Sequence, residues 1–180
     1  VHDHGAYTPQ GTNAAYNSAS AVTGPYIVPA YSLEVFVMST NKVPVMPVRG
    51  AGYPQATFAM ERLMDRVARE LGLDVAEVRR RNFIPPSKMP YTKQVRNRAG
   101  APMVIDSGDY AACQALALST IGHEGFRERQ RQALAEGRYI GLGLAHCVKP
   151  TGRGAGREAG GARSSAAAGA PCTNCRRIIK

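Results

Sequence analysis

The chain contains no apolar run near the ~20 residues that a membrane-spanning helix needs, so a spanning segment is excluded and a soluble protein is expected. It also lacks the charged start and apolar core of a signal peptide, and it opens Val1-His2-Asp3 without a methionine. A fragment is therefore expected, with its natural N-terminus and any targeting information missing and a cytoplasmic location as the default. Cysteine is scarce. Cys113, Cys147, Cys172 and Cys175 are too few and too scattered for a disulfide framework. Cys172 and Cys175 have the spacing of a zinc half-site or redox pair, but no second pair lies at a workable distance, and no metal ligand is assigned.

Acidic residues are outnumbered, 13 against 23 Lys and Arg, which leaves a formal charge of +10. Such a balance suggests nucleic acid, but its distribution does not. Residues 151–180 hold Arg153, Arg157, Arg163, Arg176, Arg177 and Lys180 against Glu158 alone, and so carry half of the excess. The densest cluster elsewhere is Arg79-Arg80-Arg81, in a stretch that reads as helix. Successive helical positions point about 100° apart, so three adjacent arginines fan out and read as a solvated face.

What is present is a series of well-marked elements. Residues 1–17 read as loop and short strand, and LEVFVMST (33–40) reads as a strand covered on both faces. Pro44 and Pro47 keep the following stretch extended but out of any sheet interior. Pro54 opens a helix whose apolar stripe is Ala56, Met60, Leu63, Met64, Val67 and Leu71, and Gly72 closes it. Asp74 and Glu77 have the form of a capping box for a second helix that ends at Asn82, before Pro85-Pro86. Residues 85–107 are proline-rich and polar and read as a surface wrap. Ser107 or Asp109 caps a third helix through Leu118, Glu124–Glu136 makes a fourth, and YIGLGLAHCV (139–148) reads as a buried strand. At about Gly152 the periodicity disappears: fifteen of residues 151–170 are Gly, Ala or Ser.

The loop Arg49-Gly50-Ala51-Gly52 carries the chemistry. It fails as a dinucleotide fingerprint, because Gln55 stands at the third glycine position and prolines spoil the strand before it. No Walker A loop occurs, and no carboxylate pair or Ser/His/Asp arrangement can be specified. Glycines nevertheless let a ligand approach the main chain closely, and the first amides of the next helix are unpaired donors at a positive helix end. With the Arg49 guanidinium, they suit an anionic or oxo-rich group. A plain glycine turn with a surface arginine remains the alternative. His2 and His4 could share one face of a strand and suggest a metal, but no third ligand is evident. His146 reads as a satisfied core histidine.

Taken together, His2-Asp3-His4-Gly5-Ala6-Tyr7, Thr40-Asn41-Lys42, Val48-Arg49-Gly50-Ala51-Gly52-Tyr53-Pro54-Gln55-Ala56, Met60-Glu61-Arg62-Leu63-Met64-Asp65 and Arg79-Arg80-Arg81-Asn82-Phe83-Ile84-Pro85-Pro86 resemble a known family. It is the molybdopterin-binding large subunit of the xanthine dehydrogenase / aldehyde oxidase / carbon monoxide dehydrogenase group, the molybdenum hydroxylases. The resemblance spans roughly residues 1–154. It implies an oxidoreductase that hydroxylates an aldehyde or an aromatic N-heterocycle with water as the oxygen source. It implies a molybdenum–molybdopterin cofactor, with 2Fe-2S clusters and FAD on partner iron–sulfur and FAD subunits or domains. It places Arg49, Gly50, Ala51 and Gly52 at the cofactor. Carbon monoxide-oxidising members carry a cysteine directly after this arginine, where Gly50 stands. Xanthine-type members place an aromatic ring where Ala51 stands.

The family's catalytic glutamate lies downstream of this region, and none of Glu124, Glu128, Glu136 or Glu158 stands in a matching context, so no catalytic residue is assigned. The expected architecture is α+β: a partial molybdopterin-binding domain over 1–151, with mixed strands and packed helices, and a low-complexity or aberrant tail over 152–180. The fragment is expected to be inactive as given and to bind neither nucleic acid nor membrane. The competing reading is a non-enzymatic basic module that uses the arginine-rich tail to bind nucleic acid or an acidic surface.

Overall fold

The computed structural model describes residues 1–7, 12–97 and 100–149. The elements run β1 (His2–Asp3), α1 (Asn13–Ala21), β2 (Val37–Met38), α2 (Tyr53–Glu70), α3 (Val75–Asn82), a 3-10 turn (Pro86–Lys88), β3 (Tyr91–Arg96), β4 (Pro102–Ile105), α4 (Tyr110–Thr120) and α5 (Phe126–Ala135). The architecture is α+β. Helices α1 to α4 pack in sequence, each against the next, and the strands form two separate two-stranded sheets, β1–β2 and β3–β4. The boundary expected at residue 151 and the tail with Cys172 and Cys175 lie outside the described residues.

Helix α2 forms where local signals are strongest. Pro54 occupies the first turn, where its missing N–H costs nothing. Its end is a Schellman closure: the Gly72 amide donates to Arg69 O at 3.2 Å, and the Leu73 amide donates to Ala68 O at 2.9 Å. Gly72 takes a φ of 64°, the left-handed conformation this closure needs. Ala56, Met64 and Ala68 are buried as the periodicity requires, but Leu63 and Leu71 are 52% and 63% exposed. The buried stripe instead takes in Glu61, with consequences described below.

Asp74 caps α3 through Oδ1, which accepts from the Ala76 and Glu77 amides at 2.8 and 3.2 Å. The reciprocal half of the expected capping box is absent, because the Glu77 carboxylate accepts instead from Arg80 and Arg81. Asp109, rather than Ser107, caps α4 by accepting from the Ala112 amide at 2.8 Å. Beside α2 and α3 lies the apolar centre: Tyr26, Met64, Ala68, Val78 and Phe83, with Val28, Met60, Val67 and Tyr110 against them. Tyr26 and Phe83 stack with ring centroids 5.4 Å apart.

Several expectations are corrected. The N-terminal segment contains a helix, α1, which carries no apolar period because its sequence NAAYNSASA is small and polar. The strand expected over 33–40 pairs only at Val37–Met38, parallel to His2–Asp3, and Leu33, Val35, Phe36 and Met38 are all more than 40% exposed. The proline-rich wrap contains an antiparallel hairpin, with Tyr91 opposite Ile105 and Arg96 opposite Pro102. Residues 139–149 are extended but join no sheet among the described residues, and alternate between exposed and half-buried positions.

The hairpin is tied to the body by a buried amine. Lys93 Nζ donates to Thr23 Oγ1 at 2.9 Å and to the Gly24 carbonyl, beside a small cavity lined by Tyr26, Tyr31 and Tyr91. Burial lowers its pKa to about 8.

Candidate functional site

Residues 50–52 form a backbone that ordinary sequences avoid. Gly50, Ala51 and Gly52 have φ values of 116°, 43° and 99°. A left-handed alanine is strained by about 1–2 kcal/mol, so surrounding contacts must hold it. They come from α1, 34 residues back in the chain. Asn17 Nδ2 donates to Ala51 O at 2.8 Å, and the Ser18 hydroxyl reaches Gly52 O at 2.9 Å. The loop also seats so closely on α1 that a Cβ on Gly52 would stand 2.2 Å from Ala14 O. Only glycine fits there.

The loop's own turn uses two amides: Ala51 N donates to Val48 O at 2.9 Å, and Tyr53 N to Gly50 O at 3.1 Å. The amides of Gly50 and Gly52 donate to no acceptor among the described residues. Arg49 is exposed at the same corner, and α2 begins there with its positive end. The sequence-predicted residues Arg49, Gly50, Ala51 and Gly52 are thus adjacent at one helix start. A guanidinium with free main-chain donors matches a large anionic, oxo-rich group. The cradle cannot be filled by a Cβ at Gly50 either, which would meet Pro54 Cγ at 2.9 Å. Next to the loop, Lys149 Nζ lies 5.9 Å from the centre of the Tyr53 ring.

Between α2 and α3 is a polar core that composition gave no reason to expect. Arg79 is fully buried, not solvated. Its Nε donates to Glu61 Oε2 at 2.7 Å, one terminal nitrogen to Asp65 Oδ1 at 2.8 Å and Glu61 O at 3.0 Å, and the other to Val75 O at 3.0 Å. Tyr26 donates its hydroxyl to Glu61 Oε1 at 2.7 Å. Burial alone would raise the Glu61 carboxyl; His146, Tyr26 and Arg79 outweigh it and hold the group below its ordinary value. A sequence signal existed: Glu61 and Asp65, one turn apart on the face shared with Met64, need a cation from elsewhere.

His146 also differs from expectation. His146 packs edge-on against Phe83 at 4.9 Å, but its Nδ1 has no hydrogen-bond partner and lies 3.9 Å from Glu61 Oε2. It is a largely buried histidine with an unpartnered ring nitrogen. Asp3 is committed to Lys42 at 2.8 Å, with Thr40 Oγ1 and the Gly5 amide donating to its other oxygen. The Lys42 ammonium, Thr40 and that amide hold its carboxyl well below the usual carboxylate range. Among the described residues no group of three or more His, Cys, Asp or Glu could hold a metal ion.

Residues 1–83, which include this glycine loop, match the family model of the molybdopterin cofactor-binding domain. The chain is 35% identical over 154 residues to the 6-hydroxypseudooxynicotine dehydrogenase complex subunit gamma of Paenarthrobacter nicotinovorans, covering 85% of this chain and 19% of that protein. It is 34% identical over 158 residues to the nicotine 6-hydroxylase large subunit of the same organism, covering 86% and 18%. In structure it matches quinoline 2-oxidoreductase from Pseudomonas putida 86, with a TM-score of 0.69 and 37% identity over 79% of this chain and 18% of that one. The chain belongs to the molybdopterin-binding large subunits of the molybdenum hydroxylase family. It spans about a fifth of the length of the curated relatives it matches.

Proposed function

We propose that this chain forms one wall of the molybdenum site in an oxidoreductase that hydroxylates an aromatic N-heterocycle with water as the oxygen source. The carrying observation is the loop 49–52: an exposed guanidinium, two uncommitted amides and a helix start, held in a left-handed backbone. When bound, the molybdenum–molybdopterin group supplies the two-electron oxidation. The chain's part is to bind and orient it. Arg49 offers charged donors, Gly50 and Gly52 offer main-chain donors, and Ala51 leaves room for substrate above the loop.

The heterocycle is favoured over an aldehyde because the relatives named above carry nicotine, hydroxypseudooxynicotine and quinoline in their names. Gly50 in place of a cysteine argues against carbon monoxide as substrate, and Ala51 in place of an aromatic ring argues against purine stacking. Iron–sulfur and FAD subunits are the partners this reading requires. The 180-residue chain alone is proposed to be inactive: Glu61 is committed to Arg79, and Glu77, Glu128 and Glu136 to surface ion pairs.

The reading is tested in the complete large subunit assembled with its partners. Arg49→Ala removes a charged donor worth about 1.5–3 kcal/mol, so cofactor retention should fall about 10- to 100-fold. Wild-type molybdenum content and wild-type oxidation of pyridine and quinoline substrates in that variant would refute it.

A further inference from the structure

Helix α1 makes few apolar contributions to the core, yet two adjacent polar side chains on it reach across to main-chain carbonyls of the loop. We infer that Asn17 and Ser18 are positioning residues for the molybdenum cofactor, acting through the carbonyls of Ala51 and Gly52; this rests on the reading of loop 49–52 as a cofactor wall.

The physical argument concerns the direction of peptide groups. A peptide plane carries its C=O and the following N–H on opposite sides, so pinning a carbonyl inward turns the next amide away from α1. Asn17 Nδ2 pins Ala51 O at 2.8 Å, and that peptide's N–H is the Gly52 amide, one of the two left without an acceptor. Ser18 pins Gly52 O at 2.9 Å, and that peptide's N–H belongs to Tyr53, which closes the turn onto Gly50 O at 3.1 Å. One side chain thus aims a free donor outward, and its neighbour locks the turn that presents it.

The clamp also opposes strain. Ala51 at φ 43° would relax toward the right-handed region if its carbonyl were released. The Ser18 proton is shared between Gly52 O and Ala14 O, both at 2.9 Å, so it has a local alternative within α1. Asn17 has no other acceptor among the described residues and is the stronger pin.

The test uses the large subunit assembled with its partners. Asn17→Asp keeps the shape but replaces the donor by an acceptor that repels Ala51 O. Outer-shell substitutions of this kind reduce affinity about 10- to 100-fold. The expected result is cofactor loss of that size on dialysis, read as molybdenum and pterin per subunit, with a lowered thermal midpoint and an altered Mo(V) electron paramagnetic resonance signal, the readout that a merely structural role would not move. Faster hydrogen exchange at the Ala51 and Tyr53 amides should accompany it, without change in the interior of α2. Ser18→Ala should give a smaller effect in the same direction, rescued by Ser18→Thr; this pair carries the test if the Asn17 variant does not assemble. Wild-type retention and a wild-type signal in Asn17→Asp, or in Ser18→Ala where that pair decides, would overturn the clamp. If Arg49→Met loses cofactor while the clamp variants do not, the cofactor wall stands and the positioning role fails. If Arg49→Met also behaves as wild type, the wall itself fails, and the clamp with it.

Discussion

Replacing Glu61 by leucine probes the ion pair on which the packing of α2 against α3 depends. Arg79 has a side-chain exposure of 0% and Glu61 of 6%, and they meet at 2.7 Å. At an effective dielectric of about 20, that separation corresponds to a gross attraction of about 6 kcal/mol. Most of this is offset by the desolvation of both groups, so the pair itself contributes little net stability. Removing one member is a different matter. It leaves a guanidinium without access to water, and the Tyr26 hydroxyl loses its acceptor; such losses cost about 3–5 kcal/mol. Asp65 still faces Arg79 and is 27% exposed, which places the expectation near the lower end, about 3 kcal/mol. Urea unfolding of Glu61→Leu, Arg79→Met and the double variant measures it. Each single variant should lose about 3 kcal/mol, and the double variant should lose much less than their sum, with a coupling of about 2 kcal/mol or more. Additive losses, or a single loss below about 1 kcal/mol, would refute the account of a buried, mutually dependent pair.

Lys93 and Gly52 offer two further tests. Because burial lowers Lys93 to about 8 from 10.5, the folded state binds fewer protons than the unfolded state between those values. Stability should therefore rise by roughly 3 kcal/mol from pH 8 to 10.5, and below pH 8 this contribution is lost; Lys93→Met should flatten the rise in a pH series of urea midpoints, and an unchanged slope would refute the assignment. Gly52→Ala places a methyl 2.2 Å from Ala14 O at a φ of 99° and should cost about 2–4 kcal/mol. A variant that melts as the wild type would mean that the loop does not seat on α1 as described.

The legible parts of the fold were those specified within one turn of helix. Pro54, Gly72, Asp74 and Asp109 sit at the helix ends they were expected to mark, because a cap acts on amides and carbonyls two to four residues away. Helix α1 was hidden because its composition of Ala, Ser and Asn has no apolar period, and it is held by contacts with the loop 50–52 rather than by a stripe of its own. The β3–β4 hairpin was hidden by Pro90 and Pro102 at its margins, which read as loop when only local signals are weighed.

For the candidate site, the residue types and their order along the chain were enough to single out Arg49, Gly50, Ala51 and Gly52 as candidates, and their flanking motifs were enough to find the family. Tertiary structure decided what those residues present. The Ala51 carbonyl is turned by Asn17 across 34 residues, and Arg79 is drawn out of water by Glu61 across 18. Neither follows from spacing, since each depends on where packing brings a distant partner. Adjacent arginines do fan out as helical geometry requires, and Arg80 and Arg81 remain at the surface. Which of the three would face inward was set by the position of two carboxylates on another helix.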